Sequence, residues 1–130
     1  MSSIFSKIVS GEIPSYKVCE DEKFLAFLDV NPLVKGHVLV IPKFEVDYIF
    51  DLNDELYSGL HLFAKKVAIG MKKAIKCERI GVTVIGLEVP HAHIHLIPIS
   101  GINDMNFSNP KLKLSSEEFI TTADIISKAI

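Results

Sequence analysis

The chain has 130 residues, a formal net charge of −2 at pH 7 and 48% hydrophobic residues. No apolar window approaches the roughly 20 residues that a membrane-spanning helix requires, and no cluster of Lys and Arg favours a nucleic-acid polymer as partner. The N-terminus lacks the apolar segment of a signal peptide. We therefore expect one cytoplasmic domain over residues 1–130, with its cysteines reduced.

The N-terminal part of the chain predicts one short helix and three strands. Apolar residues within 4–9 recur with helical spacing, and Gly11 is a suitable residue to end that helix. Strands are expected over residues 16–19, 24–28 and 37–41, where β-branched and aromatic residues are concentrated. The turn residues between these segments indicate short connections.

A long helix and two further strands are predicted downstream. Asn53 is a suitable N-cap, and apolar residues recur every three or four positions over 56–74. Residues 80–85 and 91–97 are predicted as strands separated by the short connection 86–90. Because that connection is short, the two strands should be antiparallel neighbours.

The C-terminal segment predicts a final helix. Ser115 and Glu118 form a capping box, and an apolar pattern follows as far as Ile130. The order of elements is then helix, three strands, helix, two strands and helix. This order favours an α+β fold with a five-stranded antiparallel sheet, a long helix on one side, and short N-terminal and C-terminal helices.

The most informative segment is 90–98, where His91, His93 and His95 alternate with apolar residues. Successive side chains of a strand point to opposite faces, so the three imidazoles should share one face. Imidazole is also the side chain best suited to proton transfer or nucleophilic attack near neutral pH. The pattern therefore indicates chemistry, and three kinds of chemistry or structure are compatible with it.

A metal site is the first interpretation, because two histidines two positions apart on a strand can bind one zinc ion. At about 3.3 Å per residue, the Cα atoms of His91 and His95 would be roughly 13 Å apart. Both side chains could then reach the same ion only if the strand bends. At most two of the three would bind, with His37 as a possible third ligand.

A structural role is the second interpretation, in which hydrogen-bonded histidines lie on a hydrated sheet face; it suits one histidine better than three. Covalent catalysis is the third. His93 would be the nucleophile, since it alone has a histidine on both sides, and a backbone carbonyl could hold the proton of its other nitrogen. His91 and His95 would supply protons or hydrogen bonds to the leaving group.

Four segments in collinear order resemble the histidine-triad (HIT) family, in its nucleotide-binding-protein branch of bacterial type. The match covers roughly residues 3–98, and residues 99–130 form a variable loop and helix outside it. The matching segments are Ile4 to Ile8 followed by Gly11 to Pro14, Phe27 to Pro32, Gly36 to Lys43, and the histidine pattern itself from His91 to Ile97.

The resemblance implies a HIT-like fold and a homodimer that hydrolyses or transfers nucleoside monophosphates, with no cofactor. His93 would be nucleotidylated at the α-phosphate and then released by water. His91 and His95 would assist, and His37 would hydrogen-bond near the phosphates or His93. Asp29 would accept the ribose hydroxyls. The residues implied to hold the base are Ile4, Phe5, Ile8, Phe27, Leu28 and Leu39.

Two alternative roles apply to the implied nucleoside contacts. The apolar side chains could simply pack in the core, and Asp29 could be a turn residue before Asn31.

The substrates implied are AMP or GMP conjugates such as phosphoramidates, esters or dinucleoside polyphosphates. Two other functions remain open: a purine-nucleotide-binding regulatory module with little catalysis, and a zinc-dependent hydrolase.

The chain departs from the family pattern at three places. Ser3 and Ser6 stand where many bacterial members have the Cys-x-x-Cys of a structural zinc site, so we expect no bound metal. Leu87 stands where a phosphate-binding Gln is usual, and the Asn of that region is missing. The chain has no Trp, so the tryptophan-bearing C-terminal tail of eukaryotic relatives is also absent.

Overall fold

A computed structural model describes residues 2–130. Its regular elements are a set of three α-helices and five strands, with two short 3-10 turns at Ile49–Asp51 and Ile102–Met105. The helices are α1 (Ile4–Ser10), α2 (Asp54–Ala74) and α3 (Ser116–Lys128); the strands are β1 (Lys17–Glu20), β2 (Phe24–Leu28), β3 (Val38–Pro42), β4 (Arg79–Thr83) and β5 (Ile94–Ile99).

The helix ends follow from local sequence. The side chains of Ser3, Asn53 and Ser115 accept backbone N–H groups at the starts of α1, α2 and α3, as N-caps do. Gly11 closes α1 with a φ of 87°, a left-handed conformation that glycine adopts without a steric penalty. None of the helices in residues 2–130 is both long and apolar enough to cross a membrane.

The five strands form one antiparallel sheet in the order β1-β2-β3-β5-β4. The predicted α+β fold and the antiparallel pairing of β4 with β5 are confirmed. In this sheet β5 lies between β3 and β4, and His95 is opposite Leu39 on one side and Thr83 on the other. The histidine segment is therefore close to the centre of the molecule.

The sheet is covered by helices on both faces. The larger hydrophobic core lies between one face and the helices α2 and α3, and it contains Phe24, Ala26 and Leu28 of β2. The alternate residues of β2, Leu25 and Phe27, belong to a smaller core under α1 on the opposite face. The short N-terminal helix thus lies across the sheet from the long helix.

The histidine strand starts later than expected. β5 begins at Ile94, so His91 and His93 precede the strand instead of lying in it. The His91 amide donates to the Val89 carbonyl at 2.8 Å, which closes a tight turn centred on Pro90. The prediction of a strand over 91–97 with three imidazoles on one face is therefore wrong for its first residues.

Candidate active site

His37 and His95 form a hydrogen-bonded pair with a defined proton arrangement. The Leu33 amide donates to His37 Nδ1 at 3.1 Å, so the neutral His37 ring carries its proton on Nε2. This Nε2 is 3.0 Å from His95 Nδ1 and donates to it. His95 then carries its own proton on Nε2, which makes that nitrogen a hydrogen-bond donor.

His93 has the opposite arrangement. Its Nδ1 donates to the His91 carbonyl oxygen at 2.7 Å, which is the carbonyl acceptor expected for a nucleophilic histidine. The lone pair is thereby left on Nε2. The ring lies edge-on to Phe5 and to His95, with centroid distances of 5.0 and 4.9 Å. An unprotonated nitrogen and a donor imidazole are therefore neighbours.

His91 is fully buried and does not line a surface cleft next to His93. Its Nε2 donates to the Pro42 carbonyl at 2.7 Å, and its Nδ1 accepts from the Ser3 hydroxyl at 2.9 Å. Both ring nitrogens are engaged and the side chain is 0% exposed, so neither nitrogen can exchange a proton with a substrate. The contact of His91 with His93 is instead through the backbone, since the His91 carbonyl accepts from His93 Nδ1.

Asp29 and His37 are brought together by the β2–β3 connection. The Asp29 amide donates to the His37 carbonyl at 2.9 Å, and Asp29 Oδ2 lies 3.7 Å from His37 Nε2. The other carboxylate oxygen accepts from the Asn31 amide at 2.8 Å. Asp29 is therefore a turn residue, as one interpretation held, and it keeps a second oxygen next to the histidines.

A cleft of about 260 Å³ lies between α1 and the edge of the loop that carries Asp29. We call it the α1 cleft. All seven residues predicted to contact a nucleoside line it: Ile4, Phe5, Ile8, Phe27, Leu28, Asp29 and Leu39. Several of these side chains, including Phe27 and Leu39, also pack in the smaller core. The same residue can therefore pack in the core and line the cleft.

A second cleft of about 240 Å³ adjoins the first and contains the histidines. We call it the histidine cleft. It is lined by His93 and His95, by Phe107, and by the four residues that also line the α1 cleft: Phe5, Glu88, Val89 and Lys111. A ligand can therefore extend from the apolar α1 cleft to the two imidazoles.

Burial shifts the pKa values of the histidines and of Asp29 in the site. Burial, helped by neighbouring charges, lowers the pKa of His37 to about 3; burial and the adjacent His93 lower that of His95 to about 4. Burial also lowers the pKa of His93, although the hydrogen bond to His91 and the charge of Glu88 oppose this shift. The pKa of Asp29 is raised, mainly by burial. The histidines are therefore neutral at pH 7.

Asp29, His37 and His95 are also the group in residues 2–130 that could converge on a cation, since their ligand atoms lie within 4.8 Å of one another. A metal would need a lone pair on His37 Nε2, and the Nδ1 of that ring would then have to carry the proton. That proton would face the Leu33 N–H, which now donates to Nδ1. The hydrogen bonds therefore favour the proton over a metal at this nitrogen.

Ser3 and Ser6 form a hydrogen-bonded cluster with Glu45 and His91. Glu45 Oε1 accepts from the Ser3 amide and from the Ser6 hydroxyl, both at 2.6 Å, and these bonds lower the pKa of Glu45 to about 2. Hydroxyl groups are poor zinc ligands in comparison with thiolates, and these hydroxyls already have partners. The donor set does not fit the zinc site of the family.

Sequence reasoning missed three residues that border the triad. Glu45 follows β3 in a segment without a recognisable pattern, and Phe107 and Lys111 belong to an irregular loop outside the family match. Phe107 lies edge-on to His95 with a centroid distance of 4.9 Å. Only the abundance of Asn in residues 101–110 predicted a loop here, and nothing local linked this segment to the histidines.

Comparison with known proteins identifies the family of this chain. A model of the HIT domain matches residues 10–101. The adenosine 5′-monophosphoramidase of Schizosaccharomyces pombe is 37% identical over 133 aligned positions, covering 100% of this chain and 99% of that protein. Protein hit of Bacillus subtilis is 40% identical over 108 residues, covering 78% and 73%. The crystal structure of a HIT-like protein from Bartonella henselae has a TM-score of 0.87 at 31% identity, covering 99% of this chain and 96% of that one. The family predicted from the sequence is confirmed, and the chain belongs to the HIT family.

Proposed function

We propose that this protein is a hydrolase or transferase of nucleoside monophosphate conjugates, acting through a covalent nucleotidyl intermediate on His93. The observation that carries the proposal is the hydrogen bond from His93 Nδ1 to the His91 carbonyl, which leaves an unprotonated Nε2 in the histidine cleft. The name of the Schizosaccharomyces pombe relative, adenosine 5′-monophosphoramidase, supports a phosphoramidate as the substrate.

The first step is attack on phosphorus. With the base in the α1 cleft and the ribose hydroxyls on Asp29, the α-phosphate extends into the histidine cleft. The lone pair of His93 Nε2 forms a bond to phosphorus, and the bond from phosphorus to the leaving amine breaks. The departing amine takes a proton from solvent, while His95 Nε2, which the bond from His37 keeps protonated, donates a hydrogen bond to the phosphate as the bond breaks.

The second step releases the nucleotide. Water attacks phosphorus, and the bond between phosphorus and His93 Nε2 breaks, so the electron pair returns to that nitrogen. The proton of the attacking water returns to solvent, so the two steps together consume one water and leave both histidines in their starting states. Because burial lowers the pKa of His93, the nucleophile is neutral and reactive at pH 7.

The apolar lining of the α1 cleft suits a flat purine better than a polar group, so we propose AMP and GMP conjugates as substrates. Phe27 and Leu39 form part of one wall, and the exposed Ile4 belongs to the lining as well.

Both cysteines are free thiols, which fits the cytoplasmic location that we also propose.

We further propose a homodimer. β4 is the last strand of the sheet, and Val82 on it is 59% exposed. Nearby, Tyr48, Phe50 and Ile85 are exposed apolar side chains around a separate cavity of about 330 Å³ that reaches His93. Exposed apolar groups beside an unpaired strand edge favour pairing with a second copy.

Mass spectrometry of the intact protein tests the covalent mechanism. Wild type is mixed with AMP-phosphoramidate and quenched in the steady state, beside His93→Ala and the control His61→Ala, which changes an exposed histidine. We expect one adenylyl adduct, located on His93 by peptide mapping, in wild type and the control only. Full turnover by His93→Ala would refute the role of His93. AMP binding by wild type without any turnover would favour the regulatory module instead.

A further inference from the structure

Lys111 is the only Lys or Arg side chain that lines either cleft in the part of the chain that the structure describes. It borders both, at the junction between the apolar α1 cleft and the two imidazoles. A nucleotide lying across the clefts would have its α-phosphate at this junction. The residue follows the segment that matches the HIT domain, which ends at residue 101.

We propose that Lys111 binds the phosphate of the substrate and replaces the phosphate ligands that are missing before the triad. The inference deepens the proposed function and rests on it. Leu87 cannot bind phosphate through its side chain. A lysine ammonium can do so as a compact positive charge with three N–H donors.

The ammonium group has capacity left for an anion. Lys111 Nζ donates to the carbonyl oxygens of Asn109, at 3.0 Å, and of Phe107. These bonds use two of its three donors. Within residues 2–130 no carboxylate lies within ion-pair distance of it, whereas Lys23 and Lys43 each have such a partner.

The surrounding charges explain why a cation is needed here. Glu88 lines both clefts, and Asp29 lines the α1 cleft. The positive charge of Lys111 is close enough to lower the pKa of Asp29 and that of His37, and Glu88 acts on Asp29 in the opposite direction. A phosphate entering between two carboxylates would be repelled, and Lys111 offsets that repulsion.

The loop that carries Lys111 is anchored to the rest of the site. The amide of Leu112, the next residue, donates to the Pro32 carbonyl at 2.9 Å, in the connection between Asp29 and His37. At the start of the loop, Asp104 accepts from the amides of Ser100 and Gly101. Phe107, whose carbonyl binds the ammonium, contacts the His95 ring. The cation is therefore held near the reacting groups.

Calorimetry with AMP and with adenosine tests this role without requiring turnover. Wild type should bind AMP more tightly than adenosine. Lys111→Ala should weaken AMP binding by about tenfold, the effect of one charge-assisted hydrogen bond of about 1.4 kcal/mol, and leave adenosine binding within about twofold. Lys111→Arg should retain most of the AMP affinity. Lys113→Ala, an exposed lysine outside both clefts, is the matched control.

Three outcomes would overturn the inference: wild type binding AMP no better than adenosine, AMP affinity unchanged in Lys111→Ala, or equal losses for both ligands, which would indicate a structural role. Failure of the proposed function would appear in a different measurement, the turnover of AMP-phosphoramidate. If wild type releases no AMP from AMP-phosphoramidate while Lys111→Ala selectively loses AMP affinity, Lys111 is a phosphate ligand in a protein that is not a hydrolase.

Discussion

His37 Nε2 donates to His95 Nδ1 at 3.0 Å, and the ring of His37 is itself oriented by the Leu33 amide. Two hydrogen bonds in series therefore determine which nitrogen of His95 carries a proton. A backbone group starts this series, and the proton on His95 Nε2 ends it inside the histidine cleft. His37 acts through His95 in the proposed reaction and is a positioning residue.

Replacing His37 should lower turnover more than substrate affinity. In His37→Ala the proton of His95 is no longer confined to Nε2, so we expect kcat for AMP-phosphoramidate to fall by about 10-fold to 100-fold, with KM changed by less than about threefold. His37→Gln offers an N–H in a similar place and should recover part of the loss. A large rise in KM with kcat unchanged would show that His37 binds substrate instead.

Asp29 should discriminate between ribose and deoxyribose. An Asn side chain loses the charge and one acceptor, so Asp29→Asn should raise KM for AMP-phosphoramidate by about tenfold, and raise it less for the 2′-deoxy substrate, which keeps only the 3′-hydroxyl. Asp124→Asn, on the exposed face of α3, is the control. Equal effects on ribose and deoxyribose substrates would contradict the assignment of Asp29 to the sugar.

Ser3 should stabilise the junction between α1 and the triad. Its hydroxyl caps α1 by accepting from the Ser6 amide and donates to His91 Nδ1. Ser3→Ala removes the cap and the closer of two hydroxyl partners of a buried imidazole nitrogen, leaving Ser6 Oγ at 3.4 Å, so the free energy of unfolding should fall by about 1–3 kcal/mol. Urea denaturation measures this, with Ser10→Ala on the same helix as control. An unchanged unfolding midpoint would show that the cluster contributes no stability.

The stability of the protein should decrease on acidification below pH 6.5. Burial lowers the pKa of His37 to about 3 and of His95 to about 4, so between these values and 6.5 the unfolded chain binds protons that the folded chain does not. The free energy of unfolding then falls by up to about 1.4 kcal/mol per pH unit for each such histidine.

Urea midpoints at pH 7.5 and 5.5 measure this dependence. His95→Gln should show a smaller decrease between the two pH values than wild type, and His61→Gln should behave like wild type, because His61 is exposed. A midpoint that is equal or higher at pH 5.5 would mean that the triad is not held neutral in the folded state.

The fold was predictable because its signals are local. The N-caps Asn53 and Ser115 and the apolar periodicity of α2 occur within single elements. The start of β5 was not predictable in the same way. The Ala92 amide donates to the Val46 carbonyl at 2.7 Å, a contact between residues 46 positions apart. The positions of Phe107 and Lys111 likewise depend on the fold of the C-terminal loop, which no periodicity encodes.

The candidate site, like the fold, could be predicted only in part. Asp29 and the apolar residues of the α1 cleft were identified through the family resemblance, and the structure brings them together. The different surroundings of His91 and His93 could not be deduced from alternation, because alternation assumes a regular strand and β5 begins only at Ile94.

The proposed dimer predicts a specific sensitivity at the end of the sheet. A charge at Val82 on β4 would be buried without a partner in a dimer that pairs this strand, so Val82→Lys should convert the protein to a monomer. Sedimentation velocity distinguishes the two masses. Ile120→Lys, at a similarly exposed position on α3, should keep the wild-type mass. A monomeric wild type would refute the dimer.

The acceptor that orients the His93 ring is a main-chain oxygen. A point substitution at position 91 changes the imidazole of that residue but leaves its carbonyl in the chain. The orientation of His93, the proposed nucleophile, should therefore survive substitution of His91 as long as the turn at Pro90 keeps its shape. Substitutions at position 91 should lower the free energy of unfolding more than they lower turnover. His91 should therefore be the easiest of the three histidines to replace in laboratory evolution.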